Sequence, residues 1–188
     1  MKYNENLLIE ALRYLGVKGQ APADVAQQVR QALDRLLPLC SPHSVWCVLD
    51  KTAFADLGLE LPGQDIHQLL KDCDRAVLFA LTLGAGPEQL IRREGLRSPT
   101  AALILDACAS AACEQACDDL QRQLEEQLCS PGIFSTDRFS PGYGDLPLEF
   151  QKEIFKVLDC PKRIGLTLNE SMLMSPTKSV TAFVGITK

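Results

Sequence analysis

The chain has 188 residues, of which 46% are hydrophobic and 23% are charged, a composition typical of a folded globular protein. These proportions exclude a wholly disordered chain and a collagen-like repeat. Nineteen Lys and Arg residues against 24 Asp and Glu give a formal net charge of −5, which argues against non-specific binding to nucleic acid or to an anionic membrane. The apolar stretch at residues 76–81 is far shorter than the ~20 residues that a membrane-spanning helix needs.

Eight cysteines are the unusual part of this composition. None of them forms a C-x-x-C pair, the spacing typical of zinc ribbons and iron–sulfur sites. The first residues, MKYNENLLIEAL, carry charges and lack the apolar core of a secretion signal. We therefore expect a cytoplasmic protein whose cysteines are free thiols that pack as small apolar residues.

The apolar pattern predicts a mixture of helices and strands in chain order. Residues 3–16 have apolar positions at helical spacing and end at Gly16, a residue suited to helix termination. Further helices are predicted at 22–37, 65–71, 87–94, 99–128 and 147–158, and strands at 45–49, 75–83, 164–168 and 179–186. This order favours the α+β class: a single domain over residues 1–188, with a twisted, mainly antiparallel sheet flanked by helices.

The helix predicted at 99–128 carries candidate ligand-binding residues. At 100° per residue, its second half has a buried stripe that includes Cys113 and Cys117, and the same stripe extends back to Ser110 and Asp106. Glu114 lies at the edge of this stripe. A carboxylate on a buried face needs a hydrogen-bonding partner or a cleft. Asp106 therefore either bonds the backbone amides of a neighbouring loop or faces a ligand.

The segment at residues 138–147, RFSPGYGDLP, is the second candidate. Pro141-Gly142 favours a tight turn, and Gly144 permits a positive φ angle. Arg138 can pair with a carboxylate through two hydrogen bonds, and Tyr143 offers a flat ring and a hydroxyl group. Such a set suits a zwitterionic, ring-bearing small molecule. The alternative is a structural loop in which Arg138 forms an internal salt bridge.

The same segment resembles the R-x-x-P-G-Y-x-x-x-P signature of the activation domain of cobalamin-dependent methionine synthase. Residues 164–174, IGLTLNESMLM, resemble that family's I-G-(apolar)-x-L-(T/N)-E-S-x-x-M stretch, and residues 175–180, SPTKSV, its P-x-x-S-V element. The resemblance covers residues 99–186. Residues 1–98 resemble the N-terminal part of short, stand-alone versions of this domain.

The resemblance implies a subunit that binds S-adenosylmethionine, with residues 99–188 as its binding core. Such domains support the reductive methylation of cob(II)alamin, in which a flavodoxin-like protein usually supplies the electron. The cobalamin would be held by a partner acting in trans, either a methionine synthase or another corrinoid protein. This chain would be an accessory component with no nucleophile of its own, which positions the methyl donor. The alternative is a non-catalytic corrinoid-protein interaction module that has lost ligand binding.

Site residues follow from the resemblance by position. Arg138 would pair with the methionyl carboxylate, Ser140 in the Pro141-Gly142 turn would contribute backbone contacts, and Tyr143 would line the adenosyl or methionyl pocket. The family's ligand-binding glutamate aligns with Ser110, with Glu114 one turn later and Asp106 one turn earlier. Because family members continue past the last strand with another tyrosine, we expect part of the pocket to be absent here or completed by a partner.

Overall fold

A computed structural model describes residues 2–57, 59–128 and 135–187. The secondary structure in chain order is α1 (Glu5–Tyr14), α2 (Ala23–Leu36), a 3-10 turn (Leu37–Leu39), β1 (His43–Asp50), α3 (Lys51–Asp56), α4 (Asp65–Leu69), β2 (Cys73–Thr82), α5 (Ala85–Gly95), α6 (Pro99–Leu128), a second 3-10 turn (Leu148–Phe150), α7 (Gln151–Leu158), α8 (Cys160–Ile164), β3 (Thr167–Leu168), β4 (Met174–Ser175) and β5 (Ser179–Thr187). The α+β class predicted from the sequence is confirmed.

The contacts divide the chain into two compact units that are interleaved along the sequence. Unit 1 comprises Met1–His43, Thr82–Asp118 and Pro176–Lys178. Unit 2 comprises Ser44–Leu81, Asp119–Ser175 and Ser179–Lys188. The single domain expected over residues 1–188, with parts at 1–98 and 99–188, stays a prediction.

Unit 1 is built from helices. The side chain of Asn4 caps α1 by accepting a 2.9 Å hydrogen bond from the backbone N–H of Leu7. Gly16 follows the end of the helix with a φ of +77°, as its predicted terminating role requires. Helix α2 buries one face, which carries Val29, Ala32, Leu33 and Leu36. The Sγ of Cys108 in α6 donates to the carbonyl of Val29 in α2 at 3.8 Å.

Unit 2 contains the sheet and the principal hydrophobic cluster. Three strands pair in the order β1-β2-β5, and β3 and β4 form a separate antiparallel hairpin in which Thr167 pairs with Ser175. Side chains from the sheet, α4, α7, α8 and the connecting loops form the core: Val45, Leu49, Leu59, Ile66, Leu78, Ala80, Leu146, Phe150, Ile154, Phe155, Leu158, Cys160, Leu166 and Phe183. Phe150 and Phe183 are in ring contact, with centroids 5.9 Å apart.

Three local elements differ from the prediction, and one of them is the short strand β4 (Met174–Ser175), which was not predicted. The strand predicted at 164–168 is wrong at its start, because Pro161 in the first turn favours the short helix α8 and the strand is confined to Thr167–Leu168. Helix α3 was not predicted from the charged residues after β1. It forms because the Oδ1 of Asp50 accepts hydrogen bonds from the N–H groups of Thr52 and Ala53 at 2.9 and 2.8 Å. The hydrogen bond that the Thr52 hydroxyl donates to Asp50, together with these two backbone bonds, lowers the pKa of Asp50.

No helix in the described part of the chain is both long enough and apolar enough to cross a membrane.

Candidate ligand-binding site

Arg138 lies on a short segment that pairs with the outer edge of β5 in unit 2. Phe139 and Phe183 exchange two backbone hydrogen bonds of 2.9 and 2.8 Å, and the N–H of Thr136 donates to the carbonyl of Gly185 at 2.9 Å. Phe139 packs against the hydrophobic core. Because successive side chains of an extended segment point to opposite faces, this pairing places Arg138 on the face away from Phe139.

The turn that follows is closed by its own backbone. The N–H of Tyr143 donates to the carbonyl of Ser140 at 3.1 Å, and the N–H of Gly142 donates to the carbonyl of Leu146 at 2.8 Å. Gly142 and Gly144 have φ angles of +92° and +54°, which are unfavourable for residues that carry a Cβ atom. The buried Leu146 fixes the end of the turn to the core. The turn predicted at Pro141-Gly142 is therefore confirmed.

A contact with the start of α4 holds this turn from the other side. The Asp145 carboxylate accepts hydrogen bonds from the backbone N–H groups of Gln64 and Asp65, at 2.5 and 3.1 Å. These two bonds lower the pKa of Asp145. Gly63 has a φ of +93° and sits so close that an added Cβ would lie 2.8 Å from the backbone oxygen of Asp145. The turn is thus tied to two parts of unit 2.

The side chains of the turn differ in exposure. Arg138 is half-buried, and its Nη1 donates to the amide Oε1 of Gln121 on α6 at 3.2 Å. Tyr143 is 69% exposed, so its ring is accessible on the surface of unit 2. Pro141 is buried beneath the turn. The side-chain amide of Gln121 is a neutral hydrogen-bond acceptor for this guanidinium group.

The predicted position of Asp106 on a buried stripe is wrong. Its side chain is 52% exposed, and the Nζ of Lys178 lies 2.8 Å from its Oδ1. The same Nζ donates to the Oγ of Ser110 at 3.0 Å. The extrapolation failed because the first half of α6 is buried on most of its sides, so that Leu103 and Asp106 lie on an exposed stripe that ends at the half-buried Ser110. The partner of Asp106 is an ammonium group instead of the backbone amides considered from the sequence.

The predicted site residues therefore form two groups, one in each unit. In unit 1, Lys178 joins Asp106 and Ser110, and Glu114 lies half-buried one turn further along α6. In unit 2, the edge segment and the turn bring Arg138, Ser140, Pro141, Gly142 and Tyr143 into one continuous stretch. The ligand contacts assigned to each of these residues stay predictions.

Of the cysteines that the structure describes, six are buried, as predicted, and Cys47 is half-buried. Burial raises the pKa of Cys40 to about 11, of Cys108 to about 12 and of Cys160 to about 11. These three thiols are therefore protonated near neutral pH and do not act as thiolate nucleophiles there. Cys129 lies outside the described residues.

Unit 2 also contains a cavity that the sequence did not indicate. Its volume is about 770 Å³, within the range of small-molecule pockets. Both apolar and charged side chains line it: Leu49, Asp50, Phe54, Leu59, Glu60, Leu61, His67, Leu70, Lys71, Cys73, Asp74, Arg75 and Ala76. None of the residues predicted to bind a ligand lines this cavity.

Two side chains that the sequence analysis missed are central to the polar contacts. Lys178 engages both Asp106 and Ser110, and Gln121 accepts a hydrogen bond from Arg138. Lys178 lies inside the SPTKSV motif, which was a usable signal. Gln121 lies in the polar run QRQLEEQ, where nothing distinguishes it from Gln123 or Gln127.

Comparisons with known proteins agree with this architecture. The sequence profile described as "Vitamin B12 dependent methionine synthase, activation domain" matches residues 71–187, more than half of the chain. A solved structure described as the MetH reactivation domain bound to AdoHcy superposes with a TM-score of 0.67 at 17% identity, covering 95% of this chain and 74% of that one. None of the curated proteins matches the sequence. The chain therefore belongs to the family of vitamin B12-dependent methionine synthase activation domains.

Proposed function

We propose that this chain binds S-adenosylmethionine and supports the reactivation of a cobalamin-dependent methionine synthase that acts in trans. The observation that carries this proposal is the placement of Arg138, a half-buried cation on a segment paired with β5 and followed by a doubly anchored glycine turn. Membership of the family supports it, as does the fold shared with a reactivation domain that was solved with AdoHcy.

The donors of this turn fit the chemistry of the ligand. The methionyl end of S-adenosylmethionine carries a carboxylate, and a planar guanidinium group can hold a carboxylate with two parallel hydrogen bonds. The exposed ring of Tyr143 lies five residues after Arg138 and offers a flat surface for the adenosyl or methionyl part. Because Ser140, Pro141 and Gly142 are fixed by backbone hydrogen bonds, burial and a positive φ, the turn needs little reorganisation on binding.

The contribution of the chain to the reaction is positioning. Bound S-adenosylmethionine supplies an electrophilic methyl group on its sulfonium sulfur. Arg138 holds the charged end of the molecule, and the turn limits its orientation, which lowers the entropic part of the barrier. We propose that cobalamin is held by the partner, a cytoplasmic methionine synthase or another corrinoid protein, and that a flavodoxin-like protein supplies electrons to that partner.

Calorimetric titration with S-adenosylmethionine tests the binding proposal. We expect saturable binding to the wild type and at least a 10-fold weaker affinity for Arg138→Ala, because the ligand carboxylate loses a charge-assisted partner. Arg163→Ala is the matched control, since Arg163 is exposed in the same unit. Absence of binding to the folded wild type would refute the proposal, and unchanged affinity of Arg138→Ala would place the site elsewhere.

A reactivation assay tests the trans role. A methionine synthase lacking its own activation domain is inactivated as cob(II)alamin and mixed with this chain, S-adenosylmethionine and reduced flavodoxin. We expect turnover to return with the wild type and not with Arg138→Ala. Failure of the wild type with several synthases would contradict the proposed partner.

One observation favours the second candidate, an interaction module that no longer binds the ligand. The Lys178 ammonium already engages Asp106 and Ser110, the positions predicted to face the ligand on α6. A chain of this kind would bind the corrinoid protein but give no heat with S-adenosylmethionine. The calorimetric titration therefore separates the two candidates.

A further inference from the structure

The side-chain amide of Gln121 is fixed from both ends. Its Nε2 donates to the Oγ of Ser135 at 2.9 Å, to the backbone carbonyl of Thr136 at 3.1 Å and to the Oε1 of Glu125 at 3.3 Å. Its Oε1 accepts the hydrogen bond from the Nη1 of Arg138. A flipped amide would direct N–H groups at a guanidinium group that has no acceptor, so the acceptors on the Nε2 side determine that Oε1 faces Arg138.

These acceptors are themselves held in place. The hydroxyl group of Ser135 donates to the carboxylate of Glu125, which leaves its oxygen oriented toward Gln121. Thr136 is paired with β5 through its backbone N–H and its hydroxyl oxygen, which accepts from the N–H of Gly185 at 2.8 Å. The position of the Gln121 amide is thus determined by the sheet edge and not by α6 alone.

The Gln121 stem borders several apolar side chains. A small void beside it is lined by Val77, Leu124, Val184 and Ile186 and by the polar residues Gln121, Glu125 and Ser135. An apolar side chain of similar length therefore has suitable neighbours at this position. This property makes substitution of Gln121 informative, because the amide can be removed while the half-buried stem keeps apolar neighbours.

We propose that Gln121 is a positioning residue that orients the guanidinium group of Arg138 toward the carboxylate of an S-adenosyl amino acid ligand. The inference rests on the proposed function and assigns the orientation of Arg138 to a neutral amide. Neutrality matters, because a carboxylate at position 121 would pair with Arg138 and compete with the carboxylate of the ligand.

Two ligands separate positioning from a general structural role. S-adenosylhomocysteine carries the amino acid carboxylate, and 5′-methylthioadenosine has the same adenosyl thioether without it. By calorimetry, we expect Gln121→Leu to bind S-adenosylhomocysteine about 10-fold more weakly, the effect of one hydrogen bond to a charged group. We expect its affinity for 5′-methylthioadenosine to stay within about twofold of the wild type. Gln123→Leu, an exposed position on the same helix, is the matched control and leaves both affinities unchanged.

The outcomes are distinguishable. Equal weakening of both ligands by Gln121→Leu, or no weakening of either, overturns the positioning role while the proposed function stands. No binding of S-adenosylhomocysteine to the wild type overturns both. If Gln121→Leu does not fold, Gln121→Glu provides the same test, with weaker S-adenosylhomocysteine binding and unchanged 5′-methylthioadenosine binding expected from its competing carboxylate. Unchanged binding of both ligands by Gln121→Glu also refutes the role.

Discussion

Replacement of Gly63 by Ala tests whether the α4 contact holds the ligand-binding turn. The new Cβ would lie 2.8 Å from the backbone oxygen of Asp145 and closer still to its carboxylate. The backbone oxygen therefore needs to move about 0.6 Å to reach an ordinary contact of 3.4 Å, and the carboxylate needs to move further. The backbone of Asp145 lies inside the turn that begins at Ser140 and follows Arg138. A displacement of this size at Gly63 therefore reaches the proposed site through space, 75 residues before Arg138 in the sequence.

The loss in the free energy of unfolding has two parts, backbone strain and steric displacement, and a control variant separates them. Gly19 also has a positive φ, +75°, but an added Cβ there has no atom within 4 Å. A left-handed L-residue costs about 1–2 kcal/mol, partly offset by the ~0.4–1 kcal/mol that Ala gains through the unfolded chain. We expect Gly19→Ala to lose about 1 kcal/mol in the free energy of unfolding. Gly63→Ala loses more, because the steric displacement adds to the backbone strain.

Urea unfolding and S-adenosylhomocysteine titration of the two variants provide the assay. We expect Gly63→Ala to be the less stable variant and to bind the ligand at least severalfold more weakly, since a displacement below 1 Å is enough to misplace a bound group. Gly19→Ala retains wild-type affinity. Equal stability and equal affinity of the two variants would refute the claim that Gly63 and Asp145 hold the turn.

Three further predictions concern pH, the core and the thiols. The lowered pKa of Asp145 means that its contribution to stability is present above the unfolded-state pKa, about 3.9, and is lost as the pH falls through the lower folded value. In urea unfolding below about pH 4, stability should therefore fall more steeply with decreasing pH in the wild type than in Asp145→Asn, which keeps only the dependence due to other carboxylates such as Asp50; identical profiles would contradict it. Phe183→Ala removes a fully buried ring beside Phe150 and should lower the free energy of unfolding in urea by about 3–5 kcal/mol. Leu173 is 63% exposed, so Leu173→Ala should change the free energy of unfolding by less than about 0.5 kcal/mol, and similar losses in the two variants would show that the core is misassigned. Iodoacetamide at pH 7.5 should leave Cys40, Cys108 and Cys160 unmodified in the native protein, because burial raises the pKa of each thiol, and should label them in urea. Mass spectrometry measures the labelling, and rapid labelling of the native protein would refute the packing role of these cysteines.

Much of the fold was predictable because its signals are local. The helix at Pro99–Leu128 and the strand at Ser179–Thr187 follow from apolar periodicity and from the Pro and Gly residues that end neighbouring segments. Helix α3 and helix α8 were missed because each depends on a detail, the Asp50 cap and Pro161, that weighs little against a short apolar run. Periodicity thus predicts long elements well and short ones poorly.

The site was predictable in its backbone and not in its side-chain partners. Pro141, Gly142 and Gly144 encode the turn directly, since their conformational limits act on their own residues. The partner of Asp106 is Lys178, 72 residues away, and no helical wheel contains that information. The same holds for Gln121, whose importance arises only when the edge segment pairs with β5.

Hydrogen exchange of the full chain, with and without S-adenosylhomocysteine, tests the central claim most directly. The account predicts slower exchange on ligand addition for backbone amides within residues 138–147, with Tyr143 among them. Residues 59–76, which contribute most of the lining of the cavity in unit 2, should exchange at an unchanged rate. Protection confined to residues 59–76, or no protection at saturating ligand, would contradict the assignment of the binding site to the Arg138 turn.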